Sequence, residues 1–171
     1  MTGFQELNTY LKRKDQQLNP NHGDIMENVR IIKNDEEKIT ISDLIKAVKK
    51  NPHIDSCGAI FTFEGIVRGE ENNIKVKQLN LTTPDIEKTE KELKEIINEI
   101  TEKFGVTEIA AVHYIGEFYT GDSLLLVVVA GGHRGETMDA LKETIERIKF
   151  DLEFKKEEFT ESGKNIIMSG G

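Results

Sequence analysis

Seven consecutive apolar residues, Leu124 to Ala130, run directly into Gly131 and Gly132. A strand with no polar side has no face to give to water, so Ser123 to Ala130 is expected to lie centrally in a sheet. The run is far too short to cross a bilayer, which takes ~20 residues. Ile109 to Tyr114 reads as a neighbouring strand, joined to it through a turn at Gly116 to Gly121.

The remaining pattern supplies the covering elements. Val29, Ile31 and Ile32 read as a strand, and Ser42 as the N-cap of a helix carrying Leu44, Ile45 and Val48 that stops before Pro52. Cys57 to Val67 and Val76 to Leu81 read as strands around a polar Gly69 to Asn73 turn, which makes them a hairpin candidate. Thr83 and Pro84 are placed at the start of a helix whose Leu93, Ile96, Ile97, Ile100 and Phe104 share one face until Gly105 ends it. Met138, Leu141, Ile145, Ile148 and Leu152 recur at three- and four-residue steps, which predicts a third helix packing that stripe inward. The order suits an α+β fold with a mixed sheet covered mainly on one side. Residues 1–25, with Phe4, Leu7 and Leu11 at helical spacing before Asn19-Pro20, read as an appendage, and 26–171 as the single main domain.

Composition narrows the function classes. With 31 acidic against 23 basic residues the net charge is −8, which disfavours a nonspecific phosphate-backbone binder, so no nucleic-acid partner is expected. Cys57, the one cysteine, follows no metal-ligand spacing and reads as a small buried hydrophobe. No histidine has metal spacing either, and the P-loop, GxGxxG and GxSxG motifs are absent, so neither a metal nor a cofactor is expected. The polar, Lys12-Arg13-Lys14-bearing start lacks the apolar core of a signal peptide, which points to a cytoplasmic protein with no membrane partner.

Basic residues gather at element ends, where sites collect: Arg68 after the 58–67 segment, His133 and Arg134 after Gly131-Gly132, and Lys149 with Lys156. Glycine backbone beside an arginine suits an anion, while an ordinary strand-to-helix turn with a solvent-facing arginine explains the same residues. Continued helix geometry, at a rise of ~1.5 Å per residue, would put Lys149 and Lys156 on one face roughly 10 Å apart. A solvated helix face accounts for two lysines equally well. The Glu and Lys alternation between Asp85 and Lys103 is what solvated helices show and is assigned no chemistry.

The string Gly58-Ala59-Ile60-Phe61-Thr62-Phe63-Glu64-Gly65-Ile66-Val67-Arg68 resembles the signature of the molybdopterin synthase catalytic subunit family. His113, Gly116, Gly121, Asp122, His133-Arg134, Lys149, Phe154, Lys156 and Glu158 follow in that family's order, so the resemblance covers residues 29 to about 165. It implies a hammerhead-like, mainly antiparallel α+β domain that transfers sulfur to cyclic pyranopterin monophosphate, forming the molybdopterin dithiolene. The donor it implies is a small ubiquitin-like subunit with a C-terminal Gly-Gly thiocarboxylate, docked on a homodimer within a heterotetramer whose neighbouring protomers share the pocket. By resemblance Lys149 and Lys156 are catalytic, through charge stabilisation or acid/base transfer, and Arg68, His133 and Arg134 hold substrate. The chain departs from the family pattern at Tyr114, at Asn80 to Thr83, at Glu153 to Lys155 and at Ile166. A noncatalytic paralog that binds the sulfur carrier is the alternative, and the Ser169-Gly170-Gly171 end resembles the donor's own tail.

Overall fold

The computed structural model describes residues 27–168; the 1–25 appendage with its expected helix, and the Gly-Gly end, lie outside the described residues. The elements are β1 (Val29–Lys33), α1 (Ile41–Val48), β2 (Ala59–Ile66), β3 (Glu70–Glu71), β4 (Ile74–Thr82), α2 (Ile86–Phe104), β5 (Glu108–Phe118), β6 (Ser123–Gly131), α3 (Arg134–Asp151), β7 (Lys155–Thr160) and β8 (Gly163–Met168). A short 3-10 turn at Ile54–Ser56 precedes β2. Eight strands form one sheet in the order β2-β6-β5-β4-β7-β8, with β1 beside β5 and β3 beside β4. Only β1 and β5 are parallel, so the fold is the expected mainly antiparallel α+β domain.

β5 and β6 form the spine, paired from Glu108↔Ala130 to His113↔Leu125. Successive residues of both strands are buried, so the spine is covered on both faces rather than mainly on one. α1 lies against β6 and β5, while α2 and α3 pack on each other and reach β1, β5, β6 and β2. β5 does not stop at Tyr114. It pairs with β1 as far as Ile115 and then, from Gly116, with β4. Gly116 takes a φ of 119°, a region side chains disfavour, and a Cβ there would press on Asn34. The change of partner joins a second sheet, β4-β7-β8, to the first, which is the hammerhead arrangement.

The expected hairpin of the 57–67 and 76–81 segments does not form. β2 pairs with β6 throughout, because the apolar spine offers it a partner, and β4 pairs with β5 and β7. What remains of the hairpin is β3 against the start of β4, turned by Asn72 and Asn73 with φ of 52° and 64°. A two-residue turn that matches strand twist needs positive φ at both positions, and Asn tolerates it best after Gly.

Two helix starts shift. Thr40, rather than Ser42, caps α1: its hydroxyl accepts from the Asp43 N–H at 3.1 Å while its own N–H donates to Asp43 Oδ2 at 2.9 Å. Asp85, one residue past Pro84, caps α2 by accepting from the Lys88 N–H at 3.0 Å, and Gly105 closes it at φ 63°. Cys57 is half-buried against the core.

α3 departs most from expectation. Its buried face is Thr137, Ala140, Thr144 and Ile148, whereas Met138 is 52% exposed and Leu141 and Ile145 are half-buried. Small residues let the helix approach β6 and β2 closely, and the threonine hydroxyls are satisfied within the helix, Thr137 donating to the His133 carbonyl at 2.6 Å and Thr144 to that of Ala140 at 2.7 Å. At the entry to α3, a Cβ on Gly131 would collide with Thr137 Oγ1. Gly131→Ala is therefore expected to cost about 1–3 kcal/mol of stability, read as a lower urea midpoint with an unchanged m-value.

Candidate functional site

A cavity of about 550 Å³ opens where the two sheets meet. Its walls come from the end of β2 (Phe63 to Ile66), the start of β6 (Leu124, Leu125), β4 (Leu79, Leu81) and the tail of α3 (Ile148, Lys149). Strand register explains the third wall. Leu79 opposes Glu158, Leu81 opposes Lys156, and Lys156 opposes Ile167, so alternating residues of β4, β7 and β8 present one face to the cavity. Both predicted lysines line it, although not through continued helix geometry: α3 ends at Asp151, Leu152 turns extended, and Lys156 arrives on β7.

The cavity's charges are largely engaged. Lys156 Nζ lies 2.8 Å from Glu158 Oε1, with Glu158 only 6% exposed, so the ammonium is held against the wall. Arg68 also lines the cavity, yet its side chain is mostly exposed and pairs loosely with Glu71 at 3.6 Å. Ser123 donates to Glu64 Oε1 at 2.5 Å. Lys149 is exposed at the end of α3 and makes no ion pair among the described residues.

His133 and Arg134 are not in this cavity. They line a separate, open concavity with Gly58, Gly132 and Gly135 at the N-terminus of α3. His133 is the N-cap residue but its side chain makes no cap bond, so the first-turn N–H groups face outward beside an exposed Arg134. Backbone donors, the helix dipole and a guanidinium converge there, an arrangement suited to a phosphate. From Arg134 to Lys149 the helix rises roughly 22 Å at ~1.5 Å per residue. The two basic groups thus lie at opposite ends of one helix. Among the described residues no three His, Cys, Asp or Glu are grouped to hold a metal ion, and no helix is long and apolar enough to cross a membrane.

Two residues escaped the sequence reading of the cavity. Glu158 was part of the resemblance but had no assigned role, and His113, expected as a core or interface histidine, lines the cavity while 8% exposed. Its ring stacks on Phe154 with centroids 4.4 Å apart. Tyr114, the family departure next to it, points to the other face of β5. There its hydroxyl donates to the Ile39 carbonyl at 3.2 Å and accepts from the Ile39 N–H at 2.7 Å, tying down the segment before α1. The departure therefore leaves the cavity wall untouched.

Burial pushes the His113 ring down to about 4 from 6.5, against a smaller upward pull from the Tyr114 carbonyl. Between those values the unfolded chain binds a proton that the folded chain refuses, so this group's contribution falls as pH drops from about 6.5 towards 4. The full loss is of order 3 kcal/mol by the ~1.4 kcal/mol worth of one pKa unit. Glu108, buried at the start of β5 and bonded by Asn51 at 2.8 Å and Asn28 at 3.0 Å, has a carboxyl raised by that burial and acts in the opposite sense. Urea midpoints across this window are expected to fall with acidification, and His113→Gln to flatten the slope.

The MoaE protein family profile matches residues 34–151. A molybdopterin synthase catalytic subunit of Haemophilus ducreyi is 35% identical over 119 residues, 69% of this chain and 76% of that protein. The crystal structure of molybdopterin synthase from Staphylococcus aureus superposes with a TM-score of 0.69 at 28% identity, covering 82% of this chain and 96% of that one. The fold also recurs in a complex of subunits 1 and 2 of molybdopterin-converting factor from Helicobacter pylori, with a TM-score of 0.62 at 21% identity over 80% of this chain and 88% of that one. A profile spanning most of the chain, together with a relative at this identity and coverage, settles the relationship: the chain belongs to the MoaE protein family of molybdopterin synthase catalytic subunits.

Proposed function

We propose that this chain transfers sulfur from the thiocarboxylated Gly-Gly end of a small ubiquitin-like subunit to cyclic pyranopterin monophosphate, in the cytoplasm, forming the molybdopterin dithiolene. The observation that carries this reading is that Lys149 and Lys156, brought from a helix end and a strand, open on one cavity of about 550 Å³. That volume lies within the range of about 300–1,000 Å³ usual for small-molecule sites. The cavity rim is apolar, with Ile66, Leu124, Ile167 and Met168 beside the lysines, which suits an extended tail passing over it. The Helicobacter pylori relative, a complex of two subunits, has a partner on the same fold.

In this reading the thiocarboxylate sulfur attacks the pterin side chain, Lys149 and Lys156 stabilise the charge that develops, and one of them passes a proton as the cyclic phosphate opens. Glu158 keeps Lys156 oriented. After each transfer water releases the tail as a carboxylate; in one round the ring phosphate oxygen leaves carbon, in the other the neighbouring side-chain oxygen leaves as water, and the two rounds supply the two sulfurs. Arg68 stands at the cavity mouth for the substrate's phosphate side.

The phosphate grip of His133 and Arg134 reaches the lysines across a homodimer. On one protomer the two ends of α3 are too far apart for one pterin phosphate, and the half-exposed stripe of Met138, Leu141 and Ile145 between them is a face for a second copy to cover. Two such dimer ends, each with a small subunit, make the heterotetramer.

Lys149→Ala and Lys156→Ala are each expected to lower dithiolene formation at least ~100-fold, the loss usual for removing a group that acts on the developing charge. Arg134→Ala is expected to act chiefly on KM. In an assay with thiocarboxylated partner and cyclic pyranopterin monophosphate, a pair that binds and makes no product would indicate a noncatalytic carrier-binding paralog. Mixing Arg134→Ala protomers with Lys149→Ala protomers should restore product, since one site of each mixed dimer is intact. With substrate held well below KM, where both parents are impaired, an absence of rescue would place the whole site in one protomer.

A further inference from the structure

We propose that Nε2 of His113 is a fixed hydrogen-bond acceptor in the cavity, which selects a ligand by an N–H group presented to it. The proposal rests on the cavity being the sulfur-transfer site and names a recognition element within it. His113 Nδ1 lies 2.9 Å from the Tyr114 carbonyl. A carbonyl only accepts, so Nδ1 carries the hydrogen and Nε2 is left with its lone pair. No hydrogen bond reaches Nε2 among the described residues, and no buried side-chain nitrogen or oxygen there lacks a partner. Nε2 is therefore open, and the space it opens on is the cavity that His113 lines. Phe154, stacked at 4.4 Å and 24°, fixes the ring plane.

The surroundings give this acceptor its value. Lys149, Lys156 and Arg68 offer only donors, which suit phosphate and thiocarboxylate oxygens. Each carboxylate of the cavity already has a partner, Glu158 in Lys156, Glu71 loosely in Arg68 and Glu64 in Ser123, and each is anionic, so Nε2 is the cavity's neutral ring acceptor. Burial keeps the ring neutral at neutral pH, with its pKa down at about 4, so the lone pair stays available. A carbonyl, phosphate or thiocarboxylate oxygen facing Nε2 meets lone pair against lone pair, whereas a donor completes the one open valence, and an N–H does so without offering a competing lone pair. Two ligands of the proposed reaction carry such a group, the pyrimidinone edge of the pterin and the amide of a Gly-Gly tail. A site that hydrogen-bonds a donor discriminates strongly against an analogue lacking it, because the buried partner is then left unpaired.

The test is nitrogen NMR of the ring-labelled full chain, titrated in separate arms with cyclic pyranopterin monophosphate and with a synthetic peptide ending in Gly-Gly, binding being followed independently by calorimetry. The free protein should show an unprotonated Nε2 whose resonance moves in one arm, and that arm identifies the source of the N–H. His113→Phe, which retains the stack on Phe154, should weaken that ligand at least tenfold, with His113→Gln recovering part of the loss through its amide oxygen. Circular dichroism checks that both variants fold, and if the phenylalanine variant does not, the ring resonance decides alone. Binding in both arms with Nε2 unmoved overturns the proposal and leaves the site reading intact. Absence of binding in both arms overturns the two together.

Discussion

The change of partner along β5 at Gly116 is the constraint on which the rest of the molecule depends. Up to Ile115 the strand is held between β6 and β1, and beyond it the same chain enters the β4-β7-β8 sheet. Asn34 secures the corner from the β1 side, its N–H donating to the Ile115 carbonyl at 2.9 Å and its side-chain amide to the Glu117 carbonyl. A residue with a Cβ would be strained at that φ and crowded against Asn34, so glycine is what allows one strand to serve two sheets. The cavity is the space left between them, and its lysines come from both sides of it.

The packing of α3 follows a second economy. Threonine and alanine occupy the face against the sheet, and the larger Met138, Leu141 and Ile145 are turned to its margin. Close approach without voids favours small side chains, and hydroxyls bonded to carbonyls one turn back bring no unsatisfied group into the core. Arg134 and Lys149 are thereby fixed at opposite ends of one rigid element. Membership of the molybdopterin synthase catalytic subunit family makes this chain an enzyme subunit of sulfur chemistry.

Three of the departures from the family pattern leave the cavity wall in place, while the one at Asn80 to Thr83 puts Leu81 in that wall, opposite Lys156. Tyr114 places a hydroxyl that binds the segment before α1, on the face of β5 opposite the cavity. Phe154 remains and stacks on His113, so the substitutions at Glu153 and Lys155 leave that part of the wall in place. Ile166 is 57% exposed on β8, outside the lining of the cavity.

The sequence by itself determined the elements whose apolar period is strong: the β5-β6 spine, the Leu93 to Ile100 face of α2 and its stop at Gly105. Through its resemblance it also determined the family and pointed to both cavity lysines. It was silent on β7 and β8, because Lys155 to Glu158 is a run of four charged residues with no apolar alternation and becomes a strand only by pairing with β4 and β8. It misassigned the partner of β2 for a related reason: adjacency in the chain favours a hairpin, whereas burial favours docking on an apolar strand more than fifty residues away. Which side of α3 faces inward and the meeting of Lys149 with Lys156 on one cavity were decided by tertiary structure alone. Each depends on how closely two surfaces approach, and that distance is a property of the packed chain rather than of any local run of residues.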